Sequence, residues 1–569
     1  MLSKRAYFSA KKLFAAITEK QLCILLLIMV VLLQFSALPV TILEPDGALY
    51  AGIAKSMVQR HDYWNLIADG HDWLDKPHFP FWMMCISFNL FGFTTWAYKL
   101  PAILFLLMGA WYTYKFAAAL YDERVARWAV CILLTAEHLV ISNNDVRAEP
   151  YLTGLIIASV YHFYRSRAYW FSYHLLLGAV LAACAIMTKG LFALVPIAGA
   201  IGGHLLLQKE WRQVLHPRWL LAVLFILIFI LPELYALYLQ FDQHPEKVVF
   251  GRTGVSGIRF FFWDSQFGRF MNTGPIKGEG DLFFFFHTLL WAFLPWSILL
   301  YAALIAFIRK GRTAQEYYCI SGALLTFALF SLSKFQLPHY LNIIFPFFAI
   351  LTAQYILSLH TPKGIKFYRI TQYTIIILLA IGVIVIDLLY KPVMDYAWLL
   401  LAGLVIAVYM LTARLGRKSI SGIFYRTCLA GILLNLYLNM ILYPDMMQYQ
   451  SGSEAARYAN HAVPHMPVVF YGTNSYALEF YLDAGVMRYD STALAGVISG
   501  TPLLLFTGPA QMADLEKSGY KCVVLKSFPH FYISKLDLPF VRKATRESAL
   551  EKRLLITVQS GETFLAQQR

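Results

Sequence analysis

Long apolar runs separated by short polar, mostly basic clusters set the pattern of this chain. Stretches such as CILLLIMVVLLQF (23–35) and LAVLFILIFI (221–230) are apolar on every side. They have neither the one-sided stripe of a soluble helix nor the alternation of a half-buried strand. A membrane helix needs about 20 such residues. The pattern predicts spans near 22–43, 98–120, 126–142, 151–164, 171–187, 190–207, 219–240, 283–307, 316–332, 338–358, 370–390, 395–413 and 424–442. One further apolar piece, Phe79 to Phe93, is short, aromatic and preceded by Lys76-Pro77. It reads as a helix lying at the interface.

Charge parity supports that choice. With 79–93 left out of the span count, basic clusters at 1–20, Arg124/Arg127, Arg165/Arg167, Lys209/Arg212/Arg218, Arg309/Lys310/Arg312, Lys363/Lys366/Arg369 and Arg414/Arg417/Lys418 all fall on one side. The positive-inside rule then selects thirteen spans, with the N-terminus inside and the C-terminus outside. The expected organisation is a transmembrane domain over 1–443, with outer loops at 44–99 and 241–281, and a periplasmic domain over 444–569. In the tail the pattern changes. MPVVFYG, TPLLLFTG, KCVVL and RLLITV read as strands. A capping box, Ser451-x-x-Glu454, opens one intervening helix and Pro509 opens another. A small α/β domain with a partly parallel sheet is expected. The fold class is an all-α polytopic membrane protein carrying that domain.

Composition agrees. Of 569 residues 59% are hydrophobic and 14% charged, against about 25% charged in soluble domains. The net charge of +15 belongs to the clusters between spans and implies no nucleic acid. None of the seven cysteines forms a C-x-x-C pair, which argues against a metal or disulfide framework. The basic N-terminus leads into an apolar run too long for a signal-peptide core, so the first span is read as uncleaved.

Charges at the outer ends of spans carry the candidate chemistry, because charge at membrane depth is costly. Asp46, in Glu44-Pro45-Asp46, either caps a juxtamembrane helix or acts as a general base. Lys76, in Asp75-Lys76-Pro77-His78, either snorkels or holds a phosphate. Asp145, Arg147 and Glu149 crowd one short outer loop, where Glu149 could simply cap the helix opened by Pro150. Lys189, Lys334, His339 and Tyr340 stand in two further outer loops. His61-Asp62 and His71-Asp72 could offer metal ligands, but match no standard spacing.

Pro45, Asp46, Tyr50, Ile53 and Ala54, in the order P-D-x-x-x-Y-x-x-I-A, resemble the opening motif of GT-C membrane glycosyltransferases. The narrower resemblance is to the aminoarabinose transferase and protein O-mannosyltransferase branch. It continues through Lys76-Pro77, Lys99-Leu100-Pro101, Arg147/Glu149, Thr188-Lys189-Gly190, Arg269-Phe270, Leu294-Pro295-Trp296 and Lys334 with His339-Tyr340. It covers roughly residues 20–360. The resemblance implies an enzyme of the bacterial inner membrane that takes a sugar from a polyprenyl-phosphate donor. It implies an acceptor that is a lipid A-like glycolipid or an exported protein. It implies Asp46 as catalytic base, Glu149 as a second acidic residue and Lys76 at the donor phosphate, with Lys334 and Tyr340 near the donor headgroup. The family often reads P-D-E-x-R-Y, and the arginine is absent here, which turns attention to Arg147 or Arg269. Asp75, Asp145, Lys189 and His339 complete the candidate set. A monophosphate leaving group requires no metal or cofactor. The competing readings are a secondary transporter and a catalytically silent scaffold.

Overall fold

In the computed structural model, residues 19–167, 172–274, 276–310, 316–393, 396–412, 419–489 and 503–560 are described. The basic residues before position 19, Arg312, and the Arg414/Arg417/Lys418 cluster lie outside them, as do Thr501 and Pro502 of one expected strand. The chain divides into two compact units, residues 1–39, 57–383 and 395–438, and residues 40–56, 384–394 and 439–569.

The first unit is helical. Among the described residues, the helical stretches Thr95–Leu120, Trp211–Asp242, Pro338–Leu357, Pro362–Tyr390 and Ile420–Met447 are long and apolar enough to cross a membrane. Glu123–Thr135 and Glu137–Asn144, bent by 50°, make a sixth if they count as one span. Side chains set several of the boundaries. Thr94 accepts from the Ala97 N–H, and Asp122 accepts from Arg124 and Val125, meeting donors that a helix start leaves orphaned. At the bend, the Glu137 N–H donates to the Leu294 carbonyl at 3.0 Å. Glu137 itself accepts from Asn435 at 3.0 Å.

Two crossings position the site. Gly154 packs so closely on the Thr95–Leu120 helix that a Cβ there would lie 2.1 Å from the Phe105 carbonyl oxygen. Small residues permit this backbone-to-backbone approach. Helix Glu149–Ser166 then doubles back into Tyr173–Lys189. Gly178 leaves room for the Phe163 ring, and Ser159 donates to the Gly178 carbonyl at 2.9 Å. In an antiparallel hairpin of 18 and 17 residues, the start of one helix lies beside the end of the other. Glu149 therefore meets Lys189.

The Phe79–Phe91 helix has 13 residues. It rises about 20 Å, short of a hydrocarbon core of about 30 Å. Before it, β1 (Ile67–Ala68) and β2 (His71–Asp72) form an antiparallel hairpin. Asp69 and Gly70, both at positive φ, make its tight turn. The Gln240 amide accepts from the Leu66 N–H at 3.0 Å and donates to its carbonyl at 2.8 Å.

The second unit holds a five-stranded sheet of β3 (Val468–Tyr471), β4 (Val486–Met487), β5 (Leu503–Thr507), β6 (Tyr520–His530) and β7 (Glu551–Ser560), in the order β4-β3-β5-β7-β6. β3 runs parallel to β4 and β5, while β7 is antiparallel to β5 and β6. Alternation along β5 sends Leu504 and Phe506 to a core containing Ala455, Ala456, Ala459 and Leu478. Leu505 goes to the opposite core with Leu515 and Ile556. Pro509 does open a helix, Pro509–Lys517. The capping box does not form. Gln450 occupies the N-cap of Ser451–Ala462, the Ser451 hydroxyl pairs with His530 Nδ1 at 2.9 Å, and Glu454 pairs with Arg457. The buried imidazole takes the hydroxyl that would have capped the helix.

Candidate active site

A cavity of about 90 Å³ opens in the first unit, with Asp75, Lys76, Lys189, Gln266, Arg269 and Tyr340 among its lining residues. That is room for several waters or a phosphate-sized group. Asp75 is its hub, accepting from the Lys76 ammonium on one carboxylate oxygen and from the Arg269 guanidinium on the other. Burial pushes the Asp75 carboxyl up, but the Lys76 and Arg269 charges overcome this and hold it below the usual carboxylate range. The Arg269 Nε is buried without a hydrogen-bond partner among the described residues. This is a donor that an incoming oxygen could satisfy.

Lys189 ends the Tyr173–Lys189 helix, pairs with Glu149, and its Nζ lies 3.7 Å from the centre of the Tyr340 ring. Glu149 is 1% exposed, and His339 Nε2 stands 3.8 Å from the same carboxylate oxygen. Ala148, not Glu149, occupies the N-cap of Glu149–Ser166. The Glu149 side chain thus anchors Lys189 and does not cap its own helix. After Lys189 the chain turns at Gly190, φ +92°, where a Cβ would lie 2.2 Å from Gln266 Nε2. Only glycine allows both the turn and that approach. Gln266 uses the space to donate to the Lys189 carbonyl at 3.1 Å.

The remaining candidates separate. Arg147 donates to Asp145 at 2.6 Å, as a partly buried pair. Lys334 has an exposed side chain, and its backbone N–H donates to the Phe270 carbonyl at 3.2 Å. Asp46 belongs to the second unit and is the first residue of helix Asp46–Arg60. Asp62 accepts from Trp64, Asn65 and Arg60, and Asp72 accepts from Gln240 and Lys247, so both carboxylates brace the segment between helices Asp46–Arg60 and Phe79–Phe91.

Three contributors escaped the sequence reading. Gln266 and Ser265 come from the π-helical segment Phe260–Gly268, which has no sequence signature. The third is Glu233, which accepts from the His78 backbone N–H and faces His78 Nδ1, both at 3.0 Å. His78 Nε2 lies 3.0 Å from the Trp64 carbonyl. Both side chains are fully buried, and the pair fixes the turn carrying Lys76-Pro77. A lone acid inside the run LAVLFILIFILPELYALYLQF was the available signal.

The pattern of the dolichyl-phosphate-mannose-protein mannosyltransferase family matches residues 75–235. The undecaprenyl phosphate-alpha-4-amino-4-deoxy-L-arabinose arabinosyl transferase of Edwardsiella ictaluri is 28% identical over 336 residues, 56% of each chain. Its counterpart in Pseudomonas aeruginosa strain UCBPP-PA14 is 28% identical over 311 residues, 52% of each. The chain spans about half the length of the curated relatives it matches. The crystal structure of ArnT from Cupriavidus metallidurans bound to undecaprenyl phosphate superposes with a TM-score of 0.71, covering 94% of this chain and 97% of that one at 18% identity. The fold is that of the GT-C membrane glycosyltransferases. The matched stretch 75–235 contains Asp75, Lys76, Arg147, Glu149, Lys189 and Glu233. Of these, Asp75, Lys76 and Lys189 line the cavity, and Arg269 and Tyr340 reach it from beyond the matched stretch.

Proposed function

We propose that this chain is an integral membrane glycosyltransferase that moves a sugar from a polyprenyl-phosphate carrier to an outer-face acceptor, a lipid A-like glycolipid or an exported protein. Displacing phosphate from an anomeric carbon passes through an oxocarbenium-like state. The reaction needs a base for the acceptor hydroxyl and fixed cations for the departing phosphate. Asp46 is the base. Lys76 and Arg269, with Lys189 beside them, receive the phosphate, and Glu149 holds Lys189 in place. The observation that carries the reading is the cavity in which Asp75 holds Lys76 and Arg269 as a paired reserve of positive charge, while the Arg269 Nε has no hydrogen-bond partner among the described residues. The relatives' use of undecaprenyl phosphate sugars, as their names state, supports the carrier.

In this reading the chain sits in a bacterial inner membrane with thirteen spans, and the site and residues 444–569 face the periplasm. Asp46→Asn keeps the size of the side chain and removes the base. Transfer from a polyprenyl-phosphate sugar should fall about 10²–10⁴-fold at normal expression, and Glu149→Gln should lose less. Mass spectrometry of lipid A and exported proteins with and without the gene identifies the acceptor. Unchanged glycolipids and proteins, together with wild-type transfer by Asp46→Asn, would refute the proposal.

A further inference from the structure

A six-residue helix leaves most of its backbone polar groups without partners inside it. In Tyr476–Tyr481 the segment around Asp46 supplies them. At the helix start, the Glu44 carboxylate accepts from the Ala477 N–H at 2.6 Å and from the Ser475 hydroxyl at 2.7 Å. At its end, the Lys55 ammonium donates to the carbonyls of Phe480 at 2.7 Å, Leu482 at 2.8 Å and Glu479 at 3.3 Å. An anion at the amide end and a cation at the carbonyl end match the partial charge each end presents. Lys55 is 7% exposed. A long cationic side chain loses that much hydration only where fixed acceptors replace the water.

The neighbouring backbone is held as well. The Gln450 amide donates to the Ile42 carbonyl and accepts from the Glu44 N–H, each at 2.9 Å. The Ile42 N–H donates to the Tyr481 hydroxyl at 3.0 Å, and Arg457 donates to Thr41 at 2.7 Å. Gly452 lets the Ser451–Ala462 helix close onto this corner, since a Cβ there would lie 1.7 Å from the Ser475 hydroxyl. Each of these anchors is supplied by the C-terminal part of the chain. The anchored residues stand on both sides of Asp46, at Glu44 and, about 14 Å further along the same helix, at Lys55.

We propose that the C-terminal sheet domain is the positioning device for Asp46, fixing the place and direction of its helix through Glu44 and Lys55. The proposal rests on the reading of Asp46 as the base. Glu44 and Lys55 are positioning residues. Two separated anchors define a helix axis, and with it the carboxylate on the first residue. A displacement of about 1 Å at a reacting group can cost about 10²-fold in rate.

The test is a double-mutant cycle on the full-length protein in detergent, with a polyprenyl-phosphate sugar as donor. Lys55→Met should lower kcat about 10²-fold with the donor KM unchanged, and Lys55→Arg should recover part of the loss. Asp46→Asn combined with Lys55→Met should be no slower than Asp46→Asn alone, because a misplaced base and an absent base fail at the same step. If the two losses multiply, Lys55 acts independently of Asp46 and the positioning proposal is overturned while the base reading stands. Wild-type transfer by Asp46→Asn alone overturns the base reading and the positioning proposal together. Should Lys55→Met fail to fold, Glu44→Gln enters the same cycle under the same criteria.

Discussion

Lys76→Ala offers the most direct measure of the cavity. Asp75, Lys76 and Arg269, with the Lys189–Glu149 pair beside them, carry one net positive charge. A polyprenyl-phosphate sugar is a phosphodiester with one negative charge, so the site matches the proposed donor. Lys76→Ala removes the excess charge. Two unit charges about 4 Å apart interact by about 4 kcal/mol at an effective dielectric of about 20. Desolvation reduces the net value of a charged hydrogen bond to about 1.5–3 kcal/mol. At about 1.4 kcal/mol per tenfold, the donor KM should rise about 10- to 150-fold. The departing monophosphate carries a second charge, so kcat should fall too. Lys76→Arg should recover the donor only in part, because a planar fork differs from a compact ammonium. Asp75→Asn should act in the opposite direction. It releases both cations, lowering the donor KM and strengthening inhibition by free polyprenyl phosphate. The assay is transfer rate against donor concentration for wild type and the three variants. An unchanged dependence in Lys76→Ala, or an Asp75→Asn donor KM that rises as in Lys76→Ala, would show that the cluster is a structural salt bridge and not a phosphate site.

Other consequences are as definite. Glu233→Ala takes away the acceptor of the His78 backbone N–H and the partner of its Nδ1 and should cost about 2–4 kcal/mol of stability, read as a lowered unfolding midpoint in detergent; a loss under about 1 kcal/mol contradicts the bracing role. Gly190→Ala forces a side chain into left-handed backbone and onto Gln266, displacing Lys189. Transfer should fall about 10²-fold, and wild-type activity would show that Lys189 need not be held. Burial pushes the Lys55 ammonium down to about 8, against the opposing pull of Asp483 and Glu479. The unfolded chain then binds more protons between about pH 8 and the ordinary lysine value near 10.4, so stability rises with pH across that window. Lys55→Met should remove its share and make the rise shallower, which unfolding midpoints at stepped pH will show.

How far each part of the site could be read in advance depended on how far apart its members lie in sequence. Glu149 and Lys189 are 40 residues apart and close a hairpin of two consecutive apolar helices. Once both helices are recognised, antiparallel packing makes their meeting nearly obligatory. Asp75 and Arg269 are 194 residues apart, and no local period records their pairing. Lys334 shows the converse. It sits in a segment where the resemblance implied a donor-headgroup role, yet its side chain is exposed.

The sequence by itself determined what local physics and composition control. Apolar runs of membrane length demand helices, because lipid offers no partner for an unpaired backbone amide. Alternating strands and the Gly508-Pro509 signal specify the small sheet domain. Motif order alone carried the likeness to the GT-C enzymes. Tertiary structure decided which charges meet. Gly154 and Gly190 set how closely the backbones approach, and so whether Lys189 reaches the cavity. Only the folded chain makes Asp75 the hub of Lys76 and Arg269, turns the Ser451 hydroxyl from its helix to His530, and brings Glu44 and Lys55 to opposite ends of one short helix. The physical reason is one of range. A helix or strand is fixed by neighbours within a few residues, whereas an ion pair is fixed by whichever opposite charge the packing brings within about 3 Å.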